Sequence, residues 1–187
     1  MRSPLDGSVW IGLRLILGSI AANSGLRKGQ CLCICQEMQF TSHMDQALTE
    51  AKRAAARGEV PVGAVLVSSE GAVLAADGNR TRELCDPTAH AEVLVIRQAC
   101  AKLGNERLTG CSLYVTLEPC PMCASLISQA RIARLYFGAA DPKSGGIGQG
   151  PRLFSHPQSH HVPEVYDGLA GAEAEALLKK FFAERRG

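Results

Sequence analysis

Two short motifs carry side chains able to bind a metal: Thr88-Ala89-His90-Ala91-Glu92 and Glu118-Pro119-Cys120-Pro121-Met122-Cys123. Imidazole and thiolate are donors that suit zinc, a borderline-soft cation. His90, Cys120 and Cys123 make three donors rather than four. A closed structural zinc site takes four protein ligands, whereas a catalytic one keeps a position for water. Glu92, two residues past the histidine, is placed to move protons to and from that water without binding the metal itself. Residues two apart on a regular helix point to different sides. His90 and Glu92 therefore reach one site only if His90 stands at the entry of a helix and Glu92 in its first turn. Cys120 and Cys123 are three apart, so in a first helical turn they face the same way, and the positive helix end favours thiolate. The chemistry expected is hydrolysis assisted by one zinc per chain, with Glu92 as the catalytic proton carrier.

A fourth protein ligand would close the site and make it structural. Cys111 precedes a six-residue strand, which sets it about 20 Å from the ligand end. Cys100 lies about 15 Å along a helix from His90. Cys85 is close in sequence to His90, and distance does not exclude it. His156, His160 and His161 sit in a loop and read as surface residues, and Met122 as packing. Asp141 follows a strand end, where it is either a turn residue or, because α/β sheets bind ligands there, a binding residue.

The elements that must position these groups can be read from periodicity. Ser42 with Asp45 suggests a capping box for a helix with apolar Ala47, Leu48, Ala51, Ala54 and Ala55, closed by Gly58. Residues 62–67 are short and β-branched, as a buried strand is, and Glu70-Gly71 turns the chain into a second strand over 72–76. Thr88 is a suitable N-cap for a helix running to about Lys102, with Gly104 marking its end. Ser112–Leu117 is a third strand, and Pro121 fits the first turn of the helix that follows. A fourth strand spans 134–138, a glycine-rich loop 143–151, and a short fifth strand 164–166. The last helix, over 172–185, is read with Ala176, Leu177, Lys180 and Phe181 on one side. Helices interleaved with strands predict a three-layer α/β/α sandwich with a mixed five-stranded sheet whose first two strands form a hairpin.

The chain has 187 residues, 46% of them hydrophobic, enough for one sizeable core and too few for two full domains. Of 20 basic and 18 acidic side chains, four and two fall in residues 1–37, which leaves 16 of each in the remainder. A neutral domain has no global basic field, so any contact with nucleic acid must rest on a local patch. Eight cysteines without a regular spacing, two of them at ligand spacing, point to thiolates in a reducing compartment. The longest apolar run, residues 10–20, is broken by Arg14 and is too short to cross a membrane, so no membrane partner is expected.

Residues 1–37 enter none of these patterns and read as an extension outside a domain of 38–187. The extension fits a poor signal-peptide core, an organellar presequence, or a start placed upstream of a true one at Met38 or Met44. The last is favoured, because no residue before Met38 takes part in any pattern. Cys31, Cys33 and Cys35 alternate too closely for the usual zinc spacing and read as chance.

From about Ala47 to Phe182 the chain resembles the bacterial tRNA adenosine deaminases, which have a cytidine-deaminase-like fold. The H-x-E…P-C-x-x-C pattern is that of zinc nucleobase deaminases. The resemblance extends over Gly58-Glu59-Val60-Pro61-Val62-Gly63-Ala64-Val65, Asn79-Arg80, Asp86-Pro87-Thr88, Leu113-Tyr114-Val115-Thr116-Leu117 and Arg131-Ile132. It implies zinc held by His90, Cys120 and Cys123, with Glu92 as proton shuttle. It also implies Asn79 orienting a flipped base, Asp141 near the ribose, and substrate contacts at Ala91 and Pro119. Where many relatives have a basic residue before the aspartate, this chain has Ala140, and the segment from Phe154 to His161 matches only a sub-branch. The implied reaction converts the wobble adenosine of a tRNA anticodon loop to inosine with release of ammonia. The alternative is deamination of a free base or nucleoside of guanine or cytosine type. A cytoplasmic homodimer acting on a tRNA anticodon stem-loop is the expected setting. Lys179, Lys180, Arg185 and Arg186, with Lys143 and Arg152, are the basic residues expected to meet its phosphates.

Overall fold

The computed structural model describes residues 41–185. The expected extension 1–37, with Cys31, Cys33 and Cys35 and the alternative start at Met38, lies outside the described residues. Met44 is within them and is buried at the head of the first helix.

Five strands form one sheet in the order β2-β1-β3-β4-β5: β1 (Gly63–Val67), β2 (Val73–Gly78), β3 (Ser112–Leu117), β4 (Arg134–Ala139) and β5 (Glu164–Tyr166). β1 is antiparallel to both β2 and β3, while β3, β4 and β5 run parallel. β2 and β3 therefore point the same way, and the chain leaves β2, β3 and β4 at one end of the sheet. Four helices cover the faces: α1 (Met44–Ala56), α2 (Ala91–Leu103), α3 (Pro121–Gln129) and α4 (Gly171–Ala183).

Alternation along the strands divides the core into two layers. Ala64, Leu66, Leu113, Val115, Leu135 and Phe137 face α2 and α3, meeting Val95, Ile96 and Ile127. Val65, Val67, Tyr114 and Tyr136 face α1 and α4, meeting Met44, Leu48 and Ala174. The expected three-layer sandwich with its mixed five-stranded sheet is the architecture found. Tyr114, Tyr136 and Tyr166 are in register on β3, β4 and β5, and their rings stack at 4.5 and 4.8 Å.

Local chemistry sets most boundaries. Gly58 and Gly104 take positive φ just past α1 and α2, where a Cβ would be strained. Two starts differ from the sequence reading. Ser42 Oγ accepts from the Met44 amide at 3.2 Å, a local turn rather than a reciprocal capping box. Thr88 does not cap α2, because its amide and hydroxyl both donate to Asp86 Oδ1 at 2.7 Å, and α2 begins after His90. In α4 the buried residues are Ala174 and Phe181, with Leu177 and Leu178 half-buried, while Ala176 and Lys180 are exposed. The inward stripe is thus rotated from the one read by periodicity. Among the described residues no helix is long and apolar enough to cross a membrane.

α1 lies with its backbone directly on the sheet. A Cβ at Gly63 would sit 2.1 Å from Ala47 O and 2.4 Å from Ala51 N, and one at its register partner Gly78 2.6 Å from Glu50 O. Backbone atoms of a packed helix cannot yield one at a time. Gly63→Ala is therefore expected to destabilise the fold by about 3 kcal/mol or more, at the upper end for overpacking. The shift of the urea unfolding midpoint measures it.

Candidate active site

The loops leaving β2, β3 and β4 converge at one end of the sheet, where α2 and α3 begin. His90 is the N-cap residue of α2 (φ −72°, ψ 153°), and Cys120 is the N-cap residue of α3 (φ −67°, ψ 169°). Both have the extended backbone that N-cap positions adopt. Glu92 then falls in the first turn of α2, and Cys123 in the first turn of α3 behind Pro121 at N1. The geometric condition placed on His90 and Glu92 is met.

His90 Nδ1 lies 3.7 Å from Cys120 Sγ and 3.5 Å from Cys123 Sγ, and the three donor atoms are all within 4.8 Å of one another. A tetrahedral zinc with ordinary Zn–N and Zn–S bonds requires an N···S edge of about 3.5 Å. The donor set and its spacing fit zinc, and one ion per chain is the cofactor. Among the described residues no fourth donor joins the group. Cys85 is exposed, with its Sγ 3.7 Å from the Arg82 carbonyl. Cys100 and Cys111 lie elsewhere, and His161 binds the Ile132 carbonyl. Met122, read as packing, is 37% exposed.

The electrostatics follow from proximity. The Cys123 thiol and His90 both bond to Cys120 Sγ and, against the effect of burial, bring its pKa down to about 4. Cys123 keeps its proton more firmly, because it gives that bond to Cys120 and is wholly buried. The Cys120 thiolate also raises the pKa of His90, with burial opposing. Burial pushes the Glu92 carboxyl up, and its own amide and the His90 charge only partly oppose this. A carboxyl 3% exposed beside the metal donors can hold a proton nearer neutrality than a surface glutamate can.

Asn79, at the end of β2, accepts the Ala91 amide on Oδ1 at 2.8 Å and so caps α2 from outside the helix. Its Nδ2 remains as the donor end, an assignment set by that bond. Ala91 is fully buried. Pro119 is buried, and its carbonyl receives the Gly146 amide at 2.9 Å. Asp141 is half-buried after β4, and its Oδ1 accepts the Lys143 and Ser144 amides.

Two buried carboxylates escaped the sequence reading because glutamate is usually a surface residue. Glu59, 1% exposed, accepts the Arg82 and Glu83 amides on Oε1 and the Thr81 hydroxyl on Oε2, fixing the loop that leads to His90. Glu118 accepts four backbone amides from the loop after β4. Burial raises the pKa of each, and the bonds outweigh it, so both finish below the usual value. The signal available was position, since Glu59 lies two residues before Pro61 and Glu118 directly before Pro119, each within a motif that carries the resemblance.

The expected phosphate-binding cluster is partly engaged within the protein. Arg185 donates to the Gly58 carbonyl at 2.8 Å and stacks 3.7 Å over the Phe181 ring. Lys179 pairs with Glu175 at 2.6 Å, Arg152 donates to the Gly148 carbonyl, and Arg186 lies outside the described residues.

The same fold recurs in known proteins. Residues 38–139 match the family described as the cytidine and deoxycytidylate deaminase zinc-binding region. The tRNA-specific adenosine deaminase of Agrobacterium fabrum is 60% identical over 146 residues, covering 78% of this chain and 95% of that one. A structure from work on A-to-I editing by tRNA A34 deaminases at the wobble position is 61% identical, with a TM-score of 0.71, covering 72% of this chain and 97% of its own. The guanine deaminase of Bacillus subtilis is 32% identical, with a TM-score of 0.53, covering 79% and 96%.

Glu59 has a folded-state pKa below its ordinary 4.5, so its stabilisation is complete above that value and is lost as pH falls through the folded one. Glu59→Gln is expected to be less stable than the parent by about 1.5–3 kcal/mol at neutral pH. The gap should close in acid, and urea unfolding across the pH range measures both.

Proposed function

The chain belongs to the family of the cytidine and deoxycytidylate deaminase zinc-binding region, and from that premise we propose that it converts the wobble adenosine of a tRNA anticodon loop to inosine. It is a zinc-dependent hydrolytic deaminase. The reaction adds water at C6 of adenine and releases the exocyclic amine as ammonia. The observation that carries the chemistry is the buried Glu92 carboxyl beside a three-donor group that leaves a coordination position for water. The substrate rests on the tRNA deaminases it resembles at about 60% identity over nearly their whole length.

In this reading His90, Cys120 and Cys123 hold the zinc. Zinc bound there would supply the Lewis acidity that brings the pKa of a water toward neutrality. Glu92 takes one proton from water as the oxygen adds to C6 and passes it to the ring nitrogen. It then carries the remaining proton of the new C6 hydroxyl to the departing amine, leaving the C6 carbonyl of inosine. Asn79 orients the flipped base: with Oδ1 held by the Ala91 amide, its Nδ2 is the end presented to an acceptor on the ring. Ala91 and Pro119 shape the base pocket at the two helix starts, and Asp141 meets the ribose. An adenosine in a single-stranded loop is reached without breaking a base pair.

The domain is read as 38–187, with 1–37 outside it, supported by a family match that begins at residue 38. The setting is a homodimer in the cytoplasm, supported by the resemblance and by two thiolate donors that need reducing conditions. Recovery from the soluble cytoplasmic fraction as a dimer by light scattering is the expected result, and a monomer at micromolar concentration counts against it.

Glu92→Ala should keep one zinc per chain by atomic absorption and lose turnover by about 10²–10⁴-fold. Near-parental turnover would remove Glu92 from the mechanism. The parent enzyme should form inosine and ammonia from an anticodon stem-loop with adenosine at the wobble position. Ammonia release from guanine or cytosine but not from the stem-loop would replace the RNA reading with a small-molecule deaminase.

A further inference from the structure

The loop after β4, residues 141–149, has no regular structure beyond isolated turns, yet all of its backbone amides are accounted for. Ile147, Gly148 and Gln149 donate to Glu118 Oε1 at 3.1, 2.9 and 3.1 Å, and Asp141 donates to Glu118 Oε2 at 3.1 Å. Lys143 and Ser144 donate to the Asp141 side chain, Gly145 to the Asp141 carbonyl, and Gly146 to the Pro119 carbonyl. Residue 142 is proline and has no amide to place. The loop thus hangs on two hubs, Glu118 and Asp141, and the second hub is itself tied to the first.

The approach is close enough to demand glycine. A Cβ at Gly145 would lie 2.5 Å from Glu118 Cδ, and one at Gly146 2.7 Å from Pro121 N and 2.9 Å from Cys120 C. The loop therefore rests on the same turn that presents Cys120. Glu118 is 3% exposed and is well inside, so it has no route to a substrate of its own.

We propose that Glu118 is a positioning residue that pins loop 141–149, and with it Asp141, against the Cys120 turn, and so sets substrate affinity without touching substrate. The inference rests on the reading above that this end of the sheet receives the substrate. A carboxylate suits the task because both oxygens accept and neither donates. Glutamine has nearly the same shape but only one accepting end. Its carbonyl can keep the three amides of Ile147, Gly148 and Gln149, which leaves its NH2 facing the Asp141 amide, donor against donor. The change is directed at the link between the hubs and spares the rest of the loop.

The test is Glu118→Gln in the zinc-loaded enzyme, with Gly145→Ala as a second variant that disturbs the same contact from the loop side. Amide hydrogen exchange followed by NMR should show Asp141 losing protection in Glu118→Gln, while Ile147, Gly148 and Gln149 keep theirs. KM for the anticodon stem-loop, and its Kd measured by binding alone, should rise by about tenfold, the worth of one hydrogen bond to a charged group. Zinc content should remain one per chain, with kcat within about twofold of the parent, since the proton carrier Glu92 is left in place. Release of the Asp141 amide with KM and Kd unchanged would overturn the inference. So would zinc loss with a matching fall in kcat at constant KM, which would make Glu118 a support of the metal turn alone. If the parent enzyme ignores the stem-loop and deaminates a free base, the function proposed above fails. The inference then stands or falls on KM for that base.

Discussion

The arrangement depends on two helices starting at the same point in space. His90 and Cys120 are both N-cap residues, and their extended backbones turn the side chains across the open ends of α2 and α3. Within the first turn of each helix, Glu92 and Cys123 come round to the same place. A donor placed at the head of a helix also meets the partial positive charge of unpaired amides, which favours thiolate over thiol. Metal binding, thiolate formation and placement of the proton carrier thus share one cause, the register of two helix starts. A shift of either start by one residue would rotate its first turn by about 100° and separate the set.

What holds those starts in register is distributed over the end of the sheet. Asn79 supplies the cap that α2 lacks within its own sequence, from the strand next door. Glu59 and Glu118 each order a flanking loop through backbone amides, so the walls of the site are set by buried charge rather than by apolar packing. Their carboxylates answer amides that water would otherwise have to reach. On the far face, the contact of α1 with Gly63 and Gly78 brings that helix close and leaves no room for a side chain at those two strand positions.

Much of this was legible in the sequence because it depends on neighbours in the chain. β3 was read over its full span, Gly58 and Gly104 marked the helix ends, and the H-x-E and C-x-x-C spacings identified the donors and the carboxylate. What escaped depends on partners far along the chain. Thr88 has the type of an N-cap residue, but Asp86 takes both of its donors, and the cap comes from Asn79. Glu59 and Glu118 have the type of surface residues and are buried, because their partners are backbone groups that composition does not reveal. Arg185 has the type of a phosphate ligand and spends a donor on the Gly58 carbonyl and its face on Phe181. In α4 the inward stripe of Ala174, Leu177, Leu178 and Phe181 has regular helical spacing, whereas the stripe read from the sequence took in Ala176 and Lys180, which are exposed.

The stacked column on β3, β4 and β5 has a spectroscopic consequence. The chain contains three tyrosines, and all three stand in that column, with ring planes within 12° of parallel. Its single tryptophan, Trp10, lies outside the described residues. Phenol chromophores held face to face at 4.5 and 4.8 Å couple to one another, so their near-ultraviolet circular dichroism reports a pair of strand registers rather than a general environment. The column stands on the face away from α2 and α3, so this optical signal follows the sheet while the metal centre is titrated, emptied or refilled.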